Sequence, residues 1–310
     1  MSVHMSEARH LPPSLSVVVV SDYEERAEKT WNTERQILKA LADQEIAEPF
    51  AVVLVENSRA SDSFPDDLYQ IFPRLSIVFG DESQSAKLKD RGVMHCQGEW
   101  VAVFEADCLP NRQWLRVLSD VLRQRPEISI AGGRTTYGNE SMYRRCLGIL
   151  DRSFDDLGHA GETIHVSNNG ALYRRSVLQK FPYQEAVTPF QSTRIRMVQM
   201  RNAGIKFWFD PQAVMRHEIG GWDFVRDFRR NTGYVALASH SKQKSSEIPR
   251  LIWRSLAKAC ADCLRLGPQY LKWYDWPLLL LLLFLTRFPE IRGMQDALQG
   301  RDKIPNSAYR

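Results

Sequence analysis

Glu105 and Asp107 are carboxylates one residue apart, and they follow Trp100-Val-Ala-Val-Phe104, an apolar run of strand length. Acidic groups just past the carboxyl end of a buried strand sit where open α/β sheets bind ligands. Oxygen donors at that place suit a hard divalent cation, which in turn can hold a diphosphate. A Glu-x-Asp tripeptide alone is common on protein surfaces. The strand before it, Pro110 after it and a helical pattern around Trp114 and Leu115 sharpen the reading here. Mn2+ and Mg2+ both accept such ligands, and these residues do not choose between them.

The elements that must position this pair follow from hydrophobic period. Leu15 to Val20 is apolar and β-branched, as in a central parallel strand. Phe50 to Val55, Leu75 to Phe79 and Ile128 to Ala131 read as further strands, the last stopped by Gly132-Gly133. Between them Glu24 to Glu45, Ser85 to about Gly92 and the Trp114, Leu115, Leu118, Val121, Leu122 set read as helices, with Asn111 able to cap the last. This alternation predicts an α/β fold, a mostly parallel sheet flanked by helices. Later, Tyr143 to Phe154, Thr193 to Ala203 (ended by Gly204) and Trp222 to His240 read as helices. Ala171 to Arg174 reads as a short strand, and Ile205 to Phe209 as another that turns at Asp210-Pro211 into Ala213 to His217.

The chain has 310 residues, 44% hydrophobic and 25% charged, enough for one large domain with an appendage. A net charge of +4 suits an anionic small molecule or a membrane surface and does not call for nucleic acid; the Arg226, Arg229, Arg230 cluster is too small for a nucleic-acid footprint. Five scattered cysteines fit a reducing cytoplasm, and Cys260-Ala-Asp-Cys263 reads as two structural thiols. Residues 1–13 read as a disordered lead-in. No stretch reaches the roughly 20 apolar residues of a spanning helix. The six leucines Leu278 to Leu283, flanked by Trp273, Tyr274, Trp276 and Arg287, read as an interfacial or packing helix that is buried somewhere because it is apolar nearly all round.

Taken in order, these blocks resemble glycosyltransferase family 2, of GT-A fold, over roughly residues 15 to 235. The resemblance is carried by Ser16-Val-Val-Val-Val20, Val53-Leu-Val-Glu-Asn-Ser58, Ala86-Lys-Leu-Lys-Asp-Arg-Gly-Val93, Gly98-Glu-Trp100 through Asp107, Asn168-Asn-Gly-Ala-Leu-Tyr-Arg-Arg175, and Arg201-Asn-Ala-Gly-Ile205 through His217. It implies a GT-A domain over 14–240 and transfer, with inversion, from a nucleotide-diphosphate sugar, UDP being the default nucleotide. It places Ser21, Glu56 and Asn169 at the nucleotide sugar, Lys89 and Arg91 at its phosphates, and Asp107 on the metal. Glu105 would turn to the ribose or to the metal, and His217 would give a third metal or phosphate contact. Arg226, Arg229 and Arg230, after a hinge-like Gly220-Gly221-Trp222 loop, either close over the diphosphate or form a solvated helix face. Processive synthases of the family carry Gln-x-x-Arg-Trp, which is missing here. The implied acceptor is an envelope, exopolysaccharide or lipid molecule.

The pattern breaks at the base. An inverting transferase needs a group to take the acceptor hydroxyl's proton. The family's Glu-Asp pair falls at Ser192-Thr193 when counted back from Gly204. Glu185 is the nearest carboxylate able to stand in. A catalytically silent binding or scaffold protein is the alternative reading. Residues 241–310 read as a helical region that makes a homodimer or lies peripherally on the inner face of the membrane.

Overall fold

A computed structural model describes residues 14–21, 30–82, 85–186, 189–218, 221–239 and 244–301. The expected lead-in, the first part of the expected 24–45 helix and Gly220 lie outside these residues. The described elements run β1 (Leu15–Val20), α1 (Asn32–Ala42), β2 (Phe50–Asn57), α2 (Asp67–Ile71), β3 (Leu75–Gly80), α3 (Ser85–Met94), β4 (Trp100–Glu105), β5 (Cys108–Pro110), α4 (Trp114–Gln124), β6 (Ile130–Thr136), α5 (Met142–Arg152), β7 (Gly161–Thr163), β8 (Ala171–Arg174), α6 (Arg175–Lys180), α7 (Pro189–Asn202), β9 (Phe207–His217) and α8 (Trp222–Ala238). Three further helices follow, α9 (Ile248–Tyr270), α10 (Trp276–Leu285) and α11 (Arg287–Leu298).

Strand order is β3-β2-β1-β4-β8-β6-β9-β5, with β7 also on β9. The first four strands are mutually parallel. β8 runs antiparallel to both β4 and β6 and joins that parallel half to the rest. Successive side chains of a strand point to opposite faces. Accordingly Val17 and Val19 pack with Ile37, Leu38, Trp114 and Leu118 from α1 and α4, whereas Val18 and Val20 pack with Leu88, Val93 and Met197 from α3 and α7. Burial on both faces is why β1 carries no polar alternation.

Two expected breaks in the sheet are continuous. β6 does not stop at Gly132-Gly133 but runs through it, and β9 passes through Asp210-Pro211 as one strand of 11 residues. The two are parallel with a register shift between Gly133 and Arg134. A side chain at Gly133 would stand 1.9 Å from the Ala213 carbonyl oxygen, so the missing Cβ permits the crossing instead of ending the strand. Asn111 does not cap α4. Its side chain donates to the Gln212 carbonyl and accepts from the Val214 amide, tying the start of α4 to β9.

The last three helices are packed into the body. Leu147 and Leu150 of α5, Phe224 and Phe228 of α8, Cys263 of α9 and Leu279, Leu282 and Leu283 of α10 form a third apolar cluster. α11 crosses α8 at backbone contact: a Cβ on Gly233 would meet the Glu290 carbonyl oxygen at 1.9 Å, and one on Gly293 would meet that of Arg230 at 1.8 Å. The leucine run is not buried all round. Leu279, Leu282 and Leu283 face the cluster, but Leu280, Leu281, Phe284 and Leu285 are exposed, because α10 packs through one face only. Among the described residues no helix is long and apolar enough to cross a membrane.

Candidate functional site

The parallel register sets Val20 opposite Val55 and Glu105, so β1, β2 and β4 deliver Ser21, Glu56 and Glu105 to one edge of the sheet. Ser21 is buried, its amide donates to the Val55 carbonyl and its hydroxyl to Glu34 of α1. Glu56 is buried and accepts from the Asn57 amide.

At the end of β4 three side chains close a ring. Lys89, on the sheet-facing side of α3 and only 2% exposed, donates to Glu105 Oε1 at 2.9 Å and to Asn169 Oδ1 at 2.8 Å. Asn169 Nδ2 donates to Glu105 Oε2 at 2.7 Å. Asn169 is held in place by its neighbour Gly170, whose amide donates to the Val103 carbonyl and whose carbonyl accepts from the Trp114 indole. Burial acts to raise the Glu105 carboxyl, but the Lys89 charge and the hydrogen bonds from Lys89 and Asn169 override it and hold it down at about 2. Lys89 thus neutralises Glu105. Both carboxylate oxygens of Glu105, expected at ribose or metal, are engaged within this ring.

The short strand β5, invisible in the sequence pattern, pairs Cys108 with His217 on β9. That pairing gathers Asp107, Cys108 and His217, whose ligand atoms lie within 4.8 Å of one another; Glu105 is not in the group. His217 Nδ1 is 2.6 Å from the Glu218 carbonyl, which can only accept, so Nδ1 carries the proton. Nε2 then turns its lone pair to Asp107 Oδ2 at 3.4 Å. Burial lowers the imidazole's pKa more than the Asp107 charge restores it, which keeps the ring neutral, packed against Tyr137 and Phe224. The Cys108 thiol is pushed well up by burial and by the charges of Asp107 and Glu105, and it donates to Asp107 Oδ1. A carboxylate oxygen facing an imidazole lone pair with no proton between them is a donor pair that a divalent cation satisfies. One oxygen and one nitrogen ligand, with the thiol protonated, fits Mn2+ better than Mg2+, which prefers oxygen donors alone.

A cavity of about 510 Å3 opens beside the Lys89 ring. Its walls come from α3, the end of α5 and following loop, the loop before β8, and α7, α8, α9 and α11. Lys258 and Arg287 belong to this wall, so the C-terminal helices help to shape it. The carboxylates on the wall are paired: Asp151 with Arg229, Asp262 with Ser153, Lys258 and Arg265, and Asp155 with His165. The sequence reading missed the Asp155–His165 pair, since nothing in its ten-residue spacing marks it.

Several expected phosphate contacts face elsewhere. Arg229 lines the cavity but is buried against Asp151 and the Leu150 carbonyl, and Arg230 pairs with Asp296 of α11 at 2.5 Å. Neither is a solvated face, because α8 is covered by the C-terminal helices. Arg91 pairs with Glu82 beyond β3. Ser192 is fully buried and donates to the Gln184 carbonyl, and Thr193 lines the cavity. Glu185 is exposed on the loop between α6 and α7 and is not among the lining residues. The CxxC cysteines are free, Cys260 exposed and Cys263 buried.

The glycosyl transferase family 2 model matches residues 17–181, more than half of the chain. No curated protein sequence matches significantly. Among solved structures, the chain is similar to the mannosyltransferase PcManGT from Pyrobaculum calidifontis in complex with GDP-Man and Mn2+, at 16% identity and a TM-score of 0.59 over 94% of this chain and 89% of that one. It is also similar to S. aureus TarS 1–349 in complex with UDP, at 14% identity and a TM-score of 0.50 over 93% and 90%. The likeness is one of fold, and it bears out the expected GT-A class, α/β with a helical C-terminal region.

Proposed function

The chain belongs to glycosyl transferase family 2, and on that premise we propose that it moves a sugar from a nucleotide-diphosphate sugar to a hydroxyl of a glycan or lipid acceptor, with inversion at the anomeric carbon. One observation carries the reading: Asp107 Oδ2 lies 3.4 Å from His217 Nε2, whose Nδ1 is turned to the Glu218 carbonyl, just beyond the end of β4. Asp107 and His217 would hold Mn2+, the ion that accompanies GDP-Man in the fold relative, or Mg2+. A bound ion there supplies positive charge to a diphosphate. Ser21 and Glu56 at the adjacent strand ends are the proposed nucleotide contacts. The Lys89–Glu105–Asn169 ring is the proposed floor of the sugar pocket, rigid because every member is satisfied.

The acceptor side is the cavity walled by α7 and the C-terminal helices. Beyond it α9–α11 present Trp253, Trp273, Leu280, Leu281, Phe284 and Phe288 to solvent, Trp273 at 84% and Phe288 at 69% exposure. These exposed apolar side chains, with the exposed Arg254, Lys272 and Arg292 in the same C-terminal segment, support peripheral contact with a membrane that carries a lipid-linked acceptor. A homodimer through the same face is the competing use.

A second reading, a catalytically silent binding protein, is favoured by Ser192-Thr193 standing where the family carries its base. Release of GDP from GDP-mannose, or of UDP from UDP-sugars, by the purified chain with Mn2+ separates the two. Turnover lost in Asp107→Asn is expected. Donor binding with no turnover from any donor favours the silent protein.

A further inference from the structure

We propose that His165 is the catalytic base of this chain, taking the proton from the acceptor hydroxyl, and that Asp155 positions it. The inference rests on the transferase reading and names the base that reading lacks. His165 Nδ1 is hydrogen-bonded to a buried Asp155 oxygen, and both residues line the cavity that also contains Lys89, Glu105 and Asn169. Asp155 accepts through that oxygen, so Nδ1 carries the proton and Nε2 keeps its lone pair. The ring is a third exposed, whereas Asp155 is buried, the arrangement of a base turned to a cavity and an orienting carboxylate behind it.

The surroundings fix the imidazole. Thr163 Oγ1 donates to the His165 carbonyl, and the Phe154 ring packs edge-on at 5.6 Å. His165 lies four residues before Asn169 on the loop that reaches the end of β4. Other groups on the wall serve poorly. Glu105 is held at about 2 by its ring, Asp151 and Asp262 are tied to guanidinium or ammonium groups, and Thr193 has only a hydroxyl. Burial lowers the His165 pKa, but the Asp155 charge and hydrogen bond outweigh it and raise it above the ordinary value, with Arg194 and Arg201 opposing from α7.

In the step, Nε2 takes the proton as the acceptor oxygen's electron pair forms the bond to C1 of the sugar. The bond from C1 to the diphosphate oxygen breaks, and its electron pair leaves with the nucleoside diphosphate. His165 returns its proton to solvent.

The test uses the full chain with Mn2+ and a panel of GDP-mannose, UDP-glucose and UDP-N-acetylglucosamine, water serving as acceptor, and reads released nucleoside diphosphate against pH. His165→Gln should lower kcat by about 10²–10⁴-fold, with donor affinity and Tm retained. The acidic limb of the profile should vanish with it. His165→Gly should regain turnover on addition of imidazole, which a structural histidine would not allow. Asp155→Asn should move the acidic limb to lower pH, because it removes the charge that raises the imidazole. Wild-type turnover that persists in His165→Gln overturns the base assignment alone. A wild-type chain that releases no nucleoside diphosphate overturns the transferase reading, and the base with it.

Discussion

Lys89 Nζ lies 2.9 Å from Glu105 Oε1 in a nearly solvent-free setting, so the first carboxylate of the Glu-x-Asp element is neutralised by a lysine 16 residues upstream. The pair divides the labour of the strand end. Glu105 is engaged by Lys89 and Asn169, and Asp107 turns to His217. Removing one member of a buried pair strands the other's charge, at a cost of about 3–5 kcal/mol. Lys89→Met should therefore lower unfolding free energy by that order in chemical denaturation, and adding Glu105→Gln should recover part of it.

The same pair gives a sign for pH. Glu105 is held at about 2, below its unfolded value, so its contribution is present above the unfolded carboxylate range and is lost as pH falls through that range toward 2. Denaturation midpoints of wild type should fall more steeply with acid below pH ~4 than those of the Lys89→Met, Glu105→Gln double variant. Parallel curves would contradict the assignment.

Gly233 and Gly293 let α8 and α11 touch backbone to backbone, and Arg230–Asp296 clamps the crossing. Gly293→Leu must push the helices apart. Overpacking of this kind costs about 1–3 kcal/mol or more, so a lower Tm and new proteolysis within α11 are expected. Truncation after Gly267 should not yield a well-folded soluble monomer. It removes Asp296, leaving Arg230 without that partner, and removes α10, exposing the apolar face of α5 that it covers.

The exposed face of α10 and α11 makes a separate prediction. Leu281→Lys with Phe288→Asp should leave Tm unchanged, since both side chains are exposed, and should reduce co-sedimentation with anionic lipid vesicles. Unchanged sedimentation together with a loss of dimer mass would assign the face to a second copy instead.

Much of this was legible in the residues. Apolar runs such as Leu15–Val20, β-branched from Val17 on, announce central strands because both faces are buried, and Glu105-Ala-Asp107 marks the end of β4. What stayed hidden depends on tertiary pairing. A three-residue strand, Cys108–Pro110, has no period to read, yet it brings His217 to Asp107. Gly132-Gly133 looks like a stop, but close approach of Ala213 turns the glycines into a crossing. Arg229 and Arg230 look like a surface cluster until α11 and Asp151 cover them. His165 and Asp155 belong to no motif and meet only because their loops do.

The most direct measurement is isothermal titration of the purified chain with UDP, GDP and dTDP, each with and without Mn2+, in wild type and Asp107→Ala. Nucleotide binding that requires Mn2+ and disappears in Asp107→Ala is the expected result. Binding indifferent to metal and to Asp107, or none to any nucleotide, would contradict a donor site built on Asp107 and His217.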